Sequence, residues 1–100
     1  MYQHYYSAIA TVPFLGESCV YSPTYDVPSY INFSAVVDIT YTVGSSAVVI
    51  MQYSNDALTW INSSAVTSAL VGVFYYRYAR MSITPTSCEG TVVLSLVFKR

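Results

Sequence analysis

Charge is scarce in this chain. Among 100 residues there are four Lys/Arg, five Asp/Glu and one His, so 9% of positions are charged and the net charge is −1, against a usual charged share of about 25%. Four cations cannot build the basic stripe that phosphate neutralisation requires, which argues against nucleic acid as a partner. Two cysteines, Cys19 and Cys88, and one histidine, His4, are too few and too far apart for a zinc-ligand set. No window approaches 18 uninterrupted apolar residues, because Gln52, Asn55, Asp56 and Asn62 break the best region, so no membrane span is expected. The opening stretch MYQHYYSAIATVPF lacks the basic start and continuous apolar centre of a secretion signal. The chain is therefore expected to begin in a cytoplasm, where Cys19 and Cys88 would stay reduced; a single bridge between them is the alternative.

Catalytic machinery is also missing. Asp38 and Asp56 come nearest to a carboxylate pair, but they read as an exposed strand residue and a turn residue. No serine sits in a nucleophile elbow and no glycine-rich phosphate loop occurs. The expectation is a protein without enzymatic activity, catalytic residue, metal or cofactor.

What the sequence has in abundance is apolar and aromatic surface: 54% hydrophobic and 16% aromatic, with 11 tyrosines. A chain of this length forms one domain and buries a real core, about two-thirds of its unfolded surface. With so few charges, the outside falls to Ser, Thr, Tyr and Asn, a surface poorly protected against association. Many copies packed together, or a surface meant to be covered, are expected.

Short strand signals separated by turn residues fill the chain, and helical periodicity is almost absent. Tyr2–Phe14 reads as an edge strand or an arm reaching a neighbour, closed by Pro13 and Gly16, so residues 1–17 stand apart from a domain over 18–100. Ser18–Ser22 is a short strand, and Pro23 and Pro28 make Thr24–Tyr30 a loop with at most a brief extended piece. From Phe33 to Val43 the odd positions Phe33, Ala35, Val37, Ile39, Tyr41 and Val43 form an inward face. Gly44-Ser45-Ser46 predicts a tight hairpin connection to an antiparallel partner, Ala47–Ser54. That strand is apolar on both faces, Val49, Met51 and Tyr53 against Val48 and Ile50, so it is either central with loop cover or meets another subunit. Asn55-Asp56 supplies a turn, Thr59–Asn62 a short strand, and Ser63–Gly72 a small-residue loop with room for a helical turn. A strand from Phe74 turns Ala79, Met81 and Ile83 inward and ends at Pro85. After a turn over Thr86–Gly90, Thr91–Lys99 turns Val92, Leu94, Leu96 and Phe98 inward. About seven or eight strands in this length fit an all-β, antiparallel, jelly-roll-like β-sandwich.

The run VVIMQYSNDALTWINSSAV, followed by YYRYARMSIT and TVVLSLVFKR, resembles the discoidin-like, galactose-binding-like β-sandwich modules of phage virion proteins. The residues carrying the likeness are Gln52, Ser54, Asn55, Asp56, Trp60, Tyr76, Arg77, Tyr78 and Arg80, and it covers roughly residues 18–100. Ala57 departs from the pattern, standing where the turn glycine is usual, which leaves the turn type open. The resemblance implies a bacteriophage structural protein located in the virion and made in the host cytoplasm. Its role would be capsid decoration, as a homo-oligomer, three-fold on a capsid, in contact with other virion proteins. The alternative it implies is a carbohydrate-binding module that recognises a receptor from a tail or fibre.

Two groups of residues are candidates for contact. Tyr2, Tyr5, Tyr6, Val48 and Ile50 suit a protein interface, because tyrosine offers large contact area at low entropic cost. Trp60, Tyr76, Arg77, Tyr78 and Arg80, with Tyr75 beside them, suit a glycan, because rings stack on sugar faces and Arg holds hydroxyls or carboxylates. The plainer reading of the second group is arginine laid over tyrosine rings to cover the sheet.

Overall fold

A computed structural model describes residues 5–27, 32–73 and 76–99. Its nine strands form two antiparallel sheets packed face to face. The four-stranded sheet holds, in spatial order, β1 (Tyr5–Gly16), β9 (Cys88–Lys99), β4 (Asn32–Val43) and β7 (Ala69–Val73). The five-stranded sheet holds β2 (Val20–Tyr21), β8 (Tyr78–Pro85), β5 (Ala47–Ser54) and β6 (Ile61–Ala65), with β3 (Tyr25–Asp26) also pairing β8. No helix among the described residues is long and apolar enough to cross a membrane.

Strict alternation explains these elements. In β9, Val92, Leu94, Leu96 and Phe98 are fully buried, and the residues between them face out. Phe33, Ala35 and Val37 of β4, Val49, Met51 and Tyr53 of β5, and Ala79, Met81 and Ile83 of β8 join the same core. Period two turns one whole face of each strand inward, and each large apolar side chain buried there contributes about 1.5–3 kcal/mol. Aromatic rings close one end: Tyr53 lies edge-on to Phe33 at 5.8 Å between centroids and stacks on Tyr76 at 5.3 Å.

Four sequence expectations change. Ala47–Ser54 does not pair with Phe33–Val43; β4 lies in one sheet and β5 in the other, so Gly44-Ser45-Ser46 crosses between layers. Gly44 has φ 73°, and a Cβ there would meet Cys88 Cβ at 2.8 Å, so its left-handed backbone and lack of side chain serve a crossing and not a hairpin. Val43, expected inward, is 57% exposed. Ser63–Gly72, expected as a loop, carries the end of β6 and most of β7, because backbone pairing with β5 and β4 supplies what weak propensity does not. The strand assigned from Phe74 begins at Tyr78, and Tyr76 turns in against Tyr53. Cys19 is exposed, Cys88 is buried, and neither is in a disulfide.

β1 pairs β9 along its whole length, from Tyr5 opposite Lys99 to Gly16 opposite Cys88, and contributes Val12 and Phe14 to the core. Gly90 permits the close approach of three strands: a Cβ there would run into the Thr40 carbonyl oxygen and lie 2.9 Å from the Phe14 ring. Gly90→Ala is therefore expected to cost about 1–3 kcal/mol through overpacking. An unchanged urea midpoint would contradict this packing.

Candidate functional site

The antiparallel register of β5 on β8 places Gln52 opposite Arg80, and that of β5 on β6 places Asn62 opposite Gln52. These residues share the outer face of the five-stranded sheet, since their neighbours Met51, Tyr53, Ala79 and Met81 point into the core. Arg80 Nε donates to Gln52 Oε1 at 2.7 Å, and Gln52 Nε2 donates to Asn62 Oδ1 at 2.7 Å. The Arg80 guanidinium lies over two rings, Tyr21 at 4.0 Å and Trp60 at 4.1 Å from the centroids. The rings come from opposite flanks of β8, Tyr21 from β2 and Trp60 from the turn leading into β6. Each such contact holds a partly desolvated cation by about 0.5–2 kcal/mol. The Cys19 sulfur, by hydrogen bond and charge, pushes the Tyr21 phenol up despite the opposing pull of Arg80; Tyr21 thus meets Arg80 as a neutral ring.

The turn after β5 is what presents Trp60. Buried Ser54 Oγ accepts from the Asp56 and Ala57 amides and donates to Asp56 Oδ1, and that same carboxylate oxygen accepts from the Leu58 and Thr59 amides at 2.9 Å. These backbone bonds, Thr59 and Leu58 foremost, hold the Asp56 carboxyl below its ordinary value. Ala57, where a glycine is usual, adopts φ 61°, so the turn keeps the left-handed geometry without the residue that adopts it freely.

The tyrosine–arginine segment does not form one patch. Arg77 is paired with Asp26, Nε to Oδ1 at 3.0 Å and Nη2 to Oδ2 at 3.2 Å, with Tyr78 beneath its guanidinium. Tyr76 stacks on Tyr53. The described glycan candidates therefore meet as two separate pairs, Trp60 with Arg80 and Arg77 with Tyr78. Tyr21, Gln52 and Asn62 complete the cluster of the first pair; Gln52 was legible as part of the motif, whereas Tyr21 is brought in by tertiary pairing alone. Among the interface candidates, Val48 is 48% exposed and Ile50 half-buried on this same outer face. Tyr6, expected on an arm, tilts against Phe98 of its own chain. Tyr5 opens β1; Tyr2, Tyr75 and His4 lie outside the described residues.

A second concave feature, a groove of about 530 Å³, lies where the sheets are incompletely flanked. β7 covers β4 only as far as Val36, and β6 covers β5 only from Ile50. Beyond those points the groove is lined by residues of β4, Ile39 and Tyr41 among them, by Ala47 and Val48 of β5, and by residues 65–68. Among the described residues no three His, Cys, Asp or Glu side chains gather in a group that could hold a metal.

No family model matches the chain, and no curated protein matches it. Among solved structures, a protein of the Bacillus endospore appendages, which form a novel family of disulfide-linked pili, aligns with 95% of this chain and 88% of its own. The TM-score is 0.48 and the sequence identity 15%.

Two outcomes test the turn. Ala57→Gly is expected to raise stability by about 1 kcal/mol by relieving the left-handed alanine, and a lower urea midpoint would contradict it. A depressed carboxyl stabilises the fold fully above its unfolded value, 3.8 for Asp, and loses that contribution as pH falls through its lower folded value. The Tm advantage of wild type over Asp56→Asn should therefore shrink below about pH 4; an advantage constant with pH would count against the carboxylate's role.

Proposed function

We propose that the protein is a non-enzymatic structural subunit that works through protein–protein contacts, and that its role is decoration of a phage capsid. The observation that carries the first part is the outer face of the four-stranded sheet. Ile9, Val36, Val71, Val73 and Val93 are exposed there, at 77%, 52%, 75%, 50% and 42%. Register interleaves them with Ser7, Ser34, Thr40, Thr91 and Ser95. Among the described residues of its strands, Asp38, Glu89 and Lys99 are the charges on that face. A face of valines and hydroxyls with so little charge is suited to being covered by neighbouring chains. The second part rests on the resemblance of residues 18–100 to phage virion modules and belongs with that resemblance.

A carbohydrate-binding role is the second reading, favoured by Trp60 and Arg80 meeting at one half-buried cluster on the outer face. The two readings separate on purified protein and labelled particles. Structural decoration predicts sedimentation as an oligomer at micromolar concentration, label scattered over the capsid, and no signal on a glycan array. A monomer at that concentration with no affinity for virion proteins would overturn it. So would label confined to a tail tip together with sugar binding lost in Trp60→Ala.

A further inference from the structure

All five acidic residues lie among the described residues, and the fold uses only part of them. Asp26 is paired with Arg77, Asp56 is taken up by its own turn, and Glu17 Oε1 accepts from Ser87 Oγ at 3.4 Å. Among the described residues, no side-chain hydrogen bond or ion pair engages the carboxylates of Asp38 and Glu89. Both project from the outer face of the four-stranded sheet. On the other side of the sandwich, Arg80 has its Nε on Gln52 and its guanidinium carbon 4.0 Å and 4.1 Å from the centres of the Tyr21 and Trp60 rings, but no carboxylate partner among the described residues. The half-buried guanidinium is thus held in place, and its terminal nitrogens make no hydrogen bond to a described residue.

We propose that Arg80, fixed between Tyr21 and Trp60, receives the Asp38 carboxylate of a second copy, so that the outer face of one sheet meets the outer face of the other sheet in the next subunit. This rests on the structural-subunit reading and names its contact. Three features favour a second copy as the occupant. The unpaired charges are complementary and lie on opposite faces. Each is set in apolar surface, Val36 and Val93 beside Asp38, and Val48 and Ile50 on the face of the Arg80 cluster. A guanidinium already immobilised by two rings loses little further freedom when it grips a carboxylate bidentately, which lowers the cost of association. Asp38 is the acceptor chosen over Glu89 because it stands in the middle of β4, opposite Val93 in the middle of β9, where a face-to-face contact is centred, whereas Glu89 is the second residue of β9 at the end of the sheet.

The two patches face away from each other on one molecule, so the contact is head-to-tail and does not close at a dimer. Sedimentation velocity across a concentration series should show species growing beyond dimer. Arg80→Glu and Asp38→Arg should each weaken association at least about tenfold, and the charge-swapped double variant should restore it. Arg80→Lys, which keeps the charge but loses the planar fork, should also weaken it. Circular dichroism of each variant confirms that it folds. Association in wild type that is indifferent to Arg80→Glu would overturn the contact while leaving the subunit reading intact. A wild-type protein that stays monomeric would remove the self-assembling subunit itself. Rescue of Arg80→Glu by Glu89→Arg and not by Asp38→Arg would overturn the choice of acceptor. Growth that stops at a dimer would overturn the head-to-tail geometry. Binding of glucuronate by wild type but not by Arg80→Gln, with association unchanged, would give the cluster to an acidic sugar instead.

Discussion

The inward row of β9 meeting the inward rows of β5 and β8 is the contact on which the molecule depends. Val92, Leu94, Leu96 and Phe98 on one side and Met51, Met81 and Ile83 on the other all fall within one core and are all fully buried. β9 is bonded on both flanks, to β1 and to β4, and β8 is likewise bonded to β5 on one side and to β2 and β3 on the other. These central strands satisfy their backbone groups within the sheets, which leaves the outer faces free to be almost chargeless. Apart from the Arg80, Gln52 and Asn62 bonds, their outward side chains add little to holding the chain together, and on β9 valine and hydroxyl residues stand there.

Much of this was legible because period two survives any tertiary arrangement. The inward positions of β4, β5, β8 and β9 follow from alternation alone, apart from Val43 at the end of β4, where the strand runs past the core. Partner choice was not legible. A Gly-Ser-Ser connection between two alternating segments looks the same whether the chain doubles back within a sheet or crosses to the facing one. The deciding fact is that β9, arriving some fifty residues later, takes the place beside β4 that a hairpin would have given to β5. Non-local pairing of this kind carries no local signature. The same cause hid β6 and β7, whose small residues have little strand preference until β5 and β4 offer them an edge.

The site was half visible for a related reason. Tyr-Arg-Tyr-x-Arg reads as one aromatic and cationic stripe, yet Arg77 precedes the strand and is drawn away by Asp26, 51 residues earlier in sequence. Arg80 lies within the strand, where register fixes its neighbours, and it finds Trp60 because the Asp56 turn holds the chain in place after β5. The glycine missing at Ala57 turned out to matter little for shape: Ser54 and Asp56 bind enough amides to hold the left-handed residue.

So sparse a set of charges changes what each can do. On a surface rich in Lys and Glu, a single ion pair between subunits is one of many near-equivalent contacts and selects little. Here two large faces are apolar or hydroxylated and would slide over one another with little change in energy, since burial of valine and threonine is not directional. In the proposed contact, Asp38 on one face and the Arg80 guanidinium, held beside Tyr21 and Trp60, on the other would break that degeneracy. Any register that buries either charge without the other carries the desolvation penalty of an unpaired ion, whereas the register that joins them does not. Charge in such a contact contributes less to its strength than to which of many similar alignments is allowed.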